Sequence, residues 1–274
     1  MNKYLPLGNP VYSLRPYENA SMSILDGSGE NYWIWLLTDY IQLYGWKHPG
    51  EMPSVVFYFY EDPLLNCPWL TTSREDFQDS SLSNVKIIDM LIEKLNSDHY
   101  ILAYLNSKYI KAYASYYRKE DRHHNILIYG YDEDAATFTC KDFFGSHYST
   151  QQVSFNEISQ AFYNSEKKNI LFIKKITANM TKDINIFNSS EKMISRLDDY
   201  LNSRNPLINP LNQNQDKAIF GLETYRYLFE ILLELAERKS TVNLSLFHYI
   251  YAHKQLLNHR IHLLNKYYNN DGSI

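Results

Sequence analysis

The chain has 274 residues, of which 45% are hydrophobic and 21% are charged, so it is long and apolar enough to bury a sizeable core. Its net charge is −4 and it contains no basic block, which argues against a protein that binds nucleic acids. The N-terminus lacks the apolar stretch of a signal peptide, and no apolar run approaches the ~20 residues that span a bilayer, so we expect a cytoplasmic protein without membrane contact.

The N-terminal quarter of the chain contains one strongly apolar helical segment. Residues 1–27 are rich in proline and small polar residues, and we predict extended chain and loop there. Residues 31–44 predict a buried helix, which Gly45 would terminate. Ser28 precedes this helix and has the chemistry of a good N-cap.

The middle of the chain has the short-period pattern of a β-sheet protein. Turn residues such as Gly130 and Gly145 separate apolar runs, which predicts a meander of short strands. The predicted strands are 55–60, 99–106, 124–133, 136–144, 147–155 and 169–175, and the predicted helices are 84–97 and 155–164.

The pattern changes near residue 180, where long amphipathic helices replace the strands. Helices are predicted at 188–203, 221–239 and 244–268, and their apolar faces must be buried. The sequence leaves open whether they pack on the preceding domain, cover its cleft or form a homodimer. We therefore predict an α+β fold with two regions, a domain over 1–180 and a helical region over 181–274.

Three residues occur in an order that suits acyl-transfer chemistry: Ser28 at a helix start, His124 opening a strand and Asp142 ending the next strand. A helix N-terminus stabilises a developing anion through its free N–H groups. A strand-borne histidine then serves as general base, and a neighbouring carboxylate fixes its tautomer. His123 is the rival of His124, because alternation cannot separate neighbours at a strand end.

Two stretches resemble the papain-like cysteine peptidases. SGENYWIWLLTDYIQLYG is similar to their nucleophile helix, in which Cys-Gly opens a long apolar helix. HNILIYGYDEDAATFTCKDFF resembles the His strand, Gly-Tyr-Asp turn and Asp strand of the bacteriocin-processing (double-glycine type) peptidases, and it is equally similar to the butirosin-biosynthesis H-type acyltransferases. The resemblance implies a papain-like fold, with a nucleophile helix packed on an antiparallel sheet and a C-terminal helical extension.

The resemblance also assigns roles and leaves the nucleophile open. The family has Cys where this chain has Ser28, so Ser28 is a serine nucleophile, a Cys-to-Ser variant or the mark of a site that lost its chemistry. Asn19, Gly29 and Tyr32 are the predicted oxyanion and substrate-binding residues. An alternative register aligns the Cys-Tyr-Glu-Asn motif of some relatives with Pro16-Tyr17-Glu18-Asn19 and puts Pro16 at the nucleophile.

The expected function is amide formation in a thiotemplated natural-product pathway. The resemblance implies an acyl or peptidyl group delivered as the phosphopantetheine thioester of a carrier protein and passed to a small amine. The alternatives are an inactive papain-like binding module and a thioester or peptide hydrolase. Cys67 and Cys140 lack CxxC partners, and no metal cluster or phosphate loop is recognisable, so no cofactor is expected.

Overall fold

The computed structural model describes residues 1–10, 12, 14–27, 33–46, 54–57, 63–64, 67–77, 84–176, 186–206, 218–238 and 245–269. In chain order its elements are β1 (Asn2–Tyr4), α1 (Pro16–Asp26), α2 (Trp33–Asp39), β2 (Leu43–Trp46), β3 (Ser54–Phe57), β4 (Leu70–Asp76), α3 (Asn84–Asn96), β5 (His99–Asn106), β6 (His123–Asp132), β7 (Thr137–Phe143), β8 (Tyr148–Ser154), α4 (Phe155–Tyr163), β9 (Asn169–Lys175), α5 (Ile186–Leu201), β10 (Ala218–Phe220), α6 (Glu223–Arg238) and α7 (Ser245–Asn269). A short 3-10 helix, Ser107–Tyr109, follows β5. The fold is α+β, as predicted.

The chain divides into two compact units. Unit 1 comprises Met1–Asn31 and Pro63–Lys182, and unit 2 comprises Tyr32–Asp62 and Asp183–Ile274. The boundary predicted near residue 180 lies beside the third junction, between Lys182 and Asp183, but the structure also assigns residues 32–62 to unit 2. The reason is long-range strand pairing, because β2 in that segment pairs with β10.

Within the described residues, seven strands form the antiparallel sheet of unit 1. Its order is β4-β9-β5-β6-β7-β8, and β1 pairs with the far end of β6. The predicted meander is confirmed as β6, β7 and β8, whose bounds lie within two residues of the prediction. The central strands are buried on both faces, so each face carries its own side-chain cluster.

One face of the sheet carries α3 and α4. Side chains alternate along a strand, so Phe138, Cys140 and Asp142 of β7 point to the same face. Phe155 of α4 packs on Phe138 with 4.6 Å between ring centroids. Asp142 therefore lies on the α4 face.

The opposite face carries α1. Lys141 alternates with Asp142, and its Nζ donates to the carbonyl of Gly8 at 2.6 Å and to Oδ1 of Asn9 at 2.9 Å. The Gly8 N–H in turn donates to the carbonyl of Ser23 in α1 at 2.9 Å. The C-terminal half of α1 thus lies across the sheet from Asp142.

The prediction of extended chain over residues 1–27 is wrong at α1. Pro16 occupies a first helical position and Glu18 lies in the first turn, both favourable at a helix N-terminus. The helix was missed because its buried positions include polar residues, which removes the amphipathic contrast. These residues are Glu18, Asn19, Ser21 and Ser23.

The prediction of a helix over 31–44 ended by Gly45 is also wrong in its bounds. The helix α2 ends at Asp39, and Gly45 lies inside β2 opposite Ile219. A Cβ at Gly45 would lie 2.9 Å from Cγ1 of Ile219. Glycine therefore serves close strand packing here and does not terminate a helix.

Unit 2 combines a small sheet with long helices. Its strands pair antiparallel in the order β10-β2-β3, and the three predicted C-terminal helices are confirmed as α5, α6 and α7. The predicted strand 55–60 is observed as β3, and residues 58–60 lie outside the described part. No helix in the described part of the chain is long and apolar enough to cross a membrane.

The start of α4 is held by a reciprocal cap. Ser154 Oγ accepts the N–H of Glu157 at 3.2 Å, and Glu157 Oε2 accepts the N–H of Ser154 at 3.0 Å. We expect Ser154→Ala to lower the free energy of unfolding by about 1 kcal/mol, because one helix N–H loses its partner. Urea unfolding measures this. Ser146→Ala, in the exposed turn before β8, is the control, and equal losses for both variants would contradict the assignment.

Candidate active site

His124 and Asp142 meet at one end of the large sheet. His124 is the second residue of β6, Asp142 lies near the end of β7, and these antiparallel neighbours bring the side chains together. His124 Nε2 lies 2.5 Å from Asp142 Oδ2. Asp142 is fully buried, whereas 22% of the His124 side chain is exposed. A buried carboxylate therefore holds an imidazole that solvent can reach.

His123 does not take part in this pair. Its Nδ1 accepts the backbone N–H of Glu166 at 3.3 Å, and its ring stacks on Tyr104 at 6.1 Å between centroids. The structure thus selects His124 from the two neighbouring histidines, which strand alternation alone could not do.

Two further side chains contact the His124 ring, and neither was predicted. The Oγ atom of Ser107 lies 3.3 Å from Nδ1, and the hydroxyl of Tyr113 lies 3.1 Å from Nε2. The Tyr113 hydroxyl also donates to Asp142 Oδ2. Both residues lie between β5 and β6, in a stretch for which the sequence predicted no element and which carries no recognisable motif.

The contacts define the tautomer of a neutral His124. An ionised carboxylate only accepts hydrogen bonds, so Nε2 carries the proton that points to Asp142. Nδ1 is then the acceptor, and the Ser107 hydroxyl donates to it. The nitrogen available to take a proton is therefore Nδ1, on the ring side opposite Asp142.

Ser107 has the connectivity of a triad serine but not the accessibility of a nucleophile. It is fully buried at the start of the short 3-10 helix, where its backbone N–H donates to the carbonyl of Arg122 at 2.8 Å. Asn106 caps this turn by accepting the N–H of Lys108 at 3.1 Å. Ser107 therefore anchors the His124 ring, and a substrate carbonyl would not reach its oxygen.

Of the remaining predicted site residues, Asn19 lies within the described part of the chain. Asn19 is buried within α1, where its Oδ1 accepts the N–H of Leu14 at 2.8 Å. Its Nδ2 has no hydrogen-bond partner among the described residues. Ser28, Gly29 and Tyr32 lie outside the described residues. Among the described residues, no hydrogen bond joins Asn19 to His124 or Asp142.

The two cysteines are poorly suited to nucleophilic chemistry. Burial raises the pKa of the Cys67 thiol to about 12. Burial, followed by the charge of Asp142, raises the pKa of Cys140 well above its usual range. Since the thiolate is the nucleophile, neither residue supplies one near neutral pH.

Comparisons with known proteins add no assignment. A scan against models of protein families finds no match, and a search of curated proteins finds no relative of significant similarity. Within the described residues, no group of three or more His, Cys, Asp or Glu side chains is arranged to hold a metal ion. The chemistry of this site therefore follows from the contacts of His124 and Asp142.

Proposed function

We propose that this chain is an acyl or peptidyl transferase of papain-like type in which His124 is the general base and Asp142 orients it. The observation that carries the proposal is the 2.5 Å contact between Nε2 of a partly exposed histidine and a fully buried carboxylate. Such a pair holds one tautomer and stabilises the imidazolium that forms when a nucleophile loses its proton.

The proposed reaction has two half-reactions. The residue-28 side chain loses its proton to His124 and attacks the thioester carbonyl of an acylated carrier protein, and the phosphopantetheine thiol leaves with that proton. An amine then attacks the acyl-enzyme, giving up a proton to His124 and forming an amide, and the residue-28 side chain leaves with that proton. A thiol suits this exchange because thioester donor and acyl-enzyme have similar energies, whereas a Ser28 ester turns over slowly.

The test compares the chain as given with its Ser28→Cys form. Each is incubated with an acylated carrier protein and followed by intact-protein mass spectrometry. We expect an acyl adduct on the Ser28→Cys form, formed roughly 10²–10⁴-fold more slowly when His124 is also replaced by Ala. His123→Ala is the matched control and should leave the rate unchanged. If no adduct forms on any of these variants with several acyl donors, the proposal is wrong.

The second candidate is a non-catalytic papain-like module that binds a peptide or carrier protein. Two observations favour it: a buried hydroxyl occupies His124 Nδ1, and α1 begins with Pro16 and packs on the sheet face away from Asp142. This candidate predicts carrier-protein binding without acylation. Titration calorimetry with the carrier protein distinguishes it, because binding that persists in the His124→Ala form without any adduct supports the module.

A further inference from the structure

Tyr113 is held rigidly beneath the His124–Asp142 pair. The side chain is 1% exposed. Its backbone N–H donates to the carbonyl of Ile110 at 3.1 Å, and its own carbonyl accepts the N–H groups of Tyr116 and Tyr117 at 2.9 and 2.8 Å. This compact turn fixes the position of its Cα.

Aromatic packing fixes the direction of the Tyr113 hydroxyl. The ring lies edge-on to the His124 ring, with centroids 5.2 Å apart and planes at 88°. It also packs against Phe144 at 4.7 Å between centroids. Because His124 and Phe144 both pack against the ring, its hydroxyl is held beside Asp142.

The hydroxyl and the imidazole converge on a single carboxylate oxygen. Tyr113 donates to Asp142 Oδ2, which also accepts from His124 Nε2, and the two donors lie 3.1 Å apart. The other oxygen, Oδ1, is buried and has no hydrogen-bond partner among the described residues. Tyr113 and His124 therefore compete for the same charge.

We infer that Tyr113 is a positioning residue that shares Asp142 with His124 and thereby weakens the hold of Asp142 on the protonated imidazole. A hydrogen bond to a carboxylate withdraws part of its charge, so less remains to stabilise an adjacent cation. The base then returns its proton more readily. The inference rests on the proposed function only in giving His124 the role of base.

Among the described residues around Asp142, Tyr113 is the group that weakens the interaction of Asp142 with the protonated His124. The titratable groups near Asp142 are His124, Tyr113, Cys140 and Tyr148. The charge of Glu157 in α4 also acts on Cys140. Burial and the charge of Asp142 raise the pKa of Tyr113 well above its usual value, so its hydroxyl stays a neutral donor over the working pH range. The cysteine and Tyr148 likewise stay uncharged.

The test is an NMR titration of the His124 ring in the Tyr113→Phe variant. This change deletes the hydroxyl and keeps the ring packing. We expect the midpoint of the imidazole titration to move to higher pH, because Asp142 then has one hydrogen-bond donor fewer and more of its charge stabilises the imidazolium. Tyr109→Phe, in the same segment, is the matched control and should leave the midpoint where it is. An unchanged midpoint in a folded Tyr113→Phe variant would overturn the inference.

A second measurement uses the unaltered chain, in case the variant does not fold. A hydrogen bond from Tyr113 to Asp142 predicts a hydroxyl proton far downfield whose resonance shifts at the pH where His124 titrates. A hydroxyl resonance that stays constant through that titration would contradict the sharing of Asp142. Neither readout requires acyl transfer, so failure of the proposed function and failure of this inference give different results.

Discussion

Replacing Arg260 by methionine is expected to lower the free energy of unfolding by about 3–5 kcal/mol. Arg260 is fully buried in α7, and its guanidinium donates to the carbonyls of Leu37 and Tyr40 at the end of α2. The last carbonyls of a helix lack partners within it, and the helix dipole favours a cation there. Methionine keeps most of the volume but leaves these buried carbonyls without that donor.

Urea unfolding followed by circular dichroism measures this loss. His262→Ala, an exposed change on the same helix, is the control and should stay within about 0.5 kcal/mol of the unaltered chain. If Arg260→Met lowered the free energy of unfolding by no more than that control, the Arg260 guanidinium would not be the group that stabilises the end of α2.

A pH-dependent loss of stability is expected from His253, which is also fully buried in α7. Its Nε2–H donates to the carbonyl of Ile41 at 2.8 Å. Burial lowers its pKa from 6.5 to about 3, outweighing the opposing effect of that hydrogen bond. The unfolded chain therefore binds the proton that the folded chain rejects, and stability falls as the pH drops below about 6.5 and continues to fall towards about 3.

The expected slope from this residue is up to about 1.4 kcal/mol per pH unit. His253→Gln keeps an N–H donor and removes the titration, so its stability should fall less steeply between pH 6 and 4. Urea midpoints measured at several pH values give the comparison, with His262→Gln as the exposed control. Parallel curves for His253→Gln and the unaltered chain would show that His253 does not reject its proton on folding.

Arg260 and His253 together explain where α2 ends. They bind three carbonyls within Leu37–Ile41, so these oxygens are satisfied without a continuing helix. The chain then enters β2 at Leu43 and pairs with β10. The apolar run over 31–44 has the composition of a longer helix, and side chains from more than 200 positions away override that preference.

In the candidate site, too, some residues could be identified from local sequence patterns and others only from contacts between distant segments. Alternating apolar residues place His124 and Asp142 on neighbouring strands, and both were identified from the sequence. The turn that joins these strands lies at residues 133–136, whereas Gly130, which was predicted as a turn residue, lies inside β6 and pairs with Thr139. Ser107 and Tyr113 were not, because their contacts depend on how the chain between β5 and β6 folds back on the sheet. The sequence of that segment has no periodic pattern that would predict such a contact.

The sequence by itself determined the β6–β8 meander, the three C-terminal helices and the pairing of a histidine strand with an aspartate strand. These features rest on local periodicity and turn chemistry, which act over a few residues. The tertiary structure alone decided that α1 is a helix, that β2 joins unit 2 and that α1 packs across the sheet from Asp142. Each of these depends on contacts between distant segments, and the free energy of burying side chains there outweighs local preference.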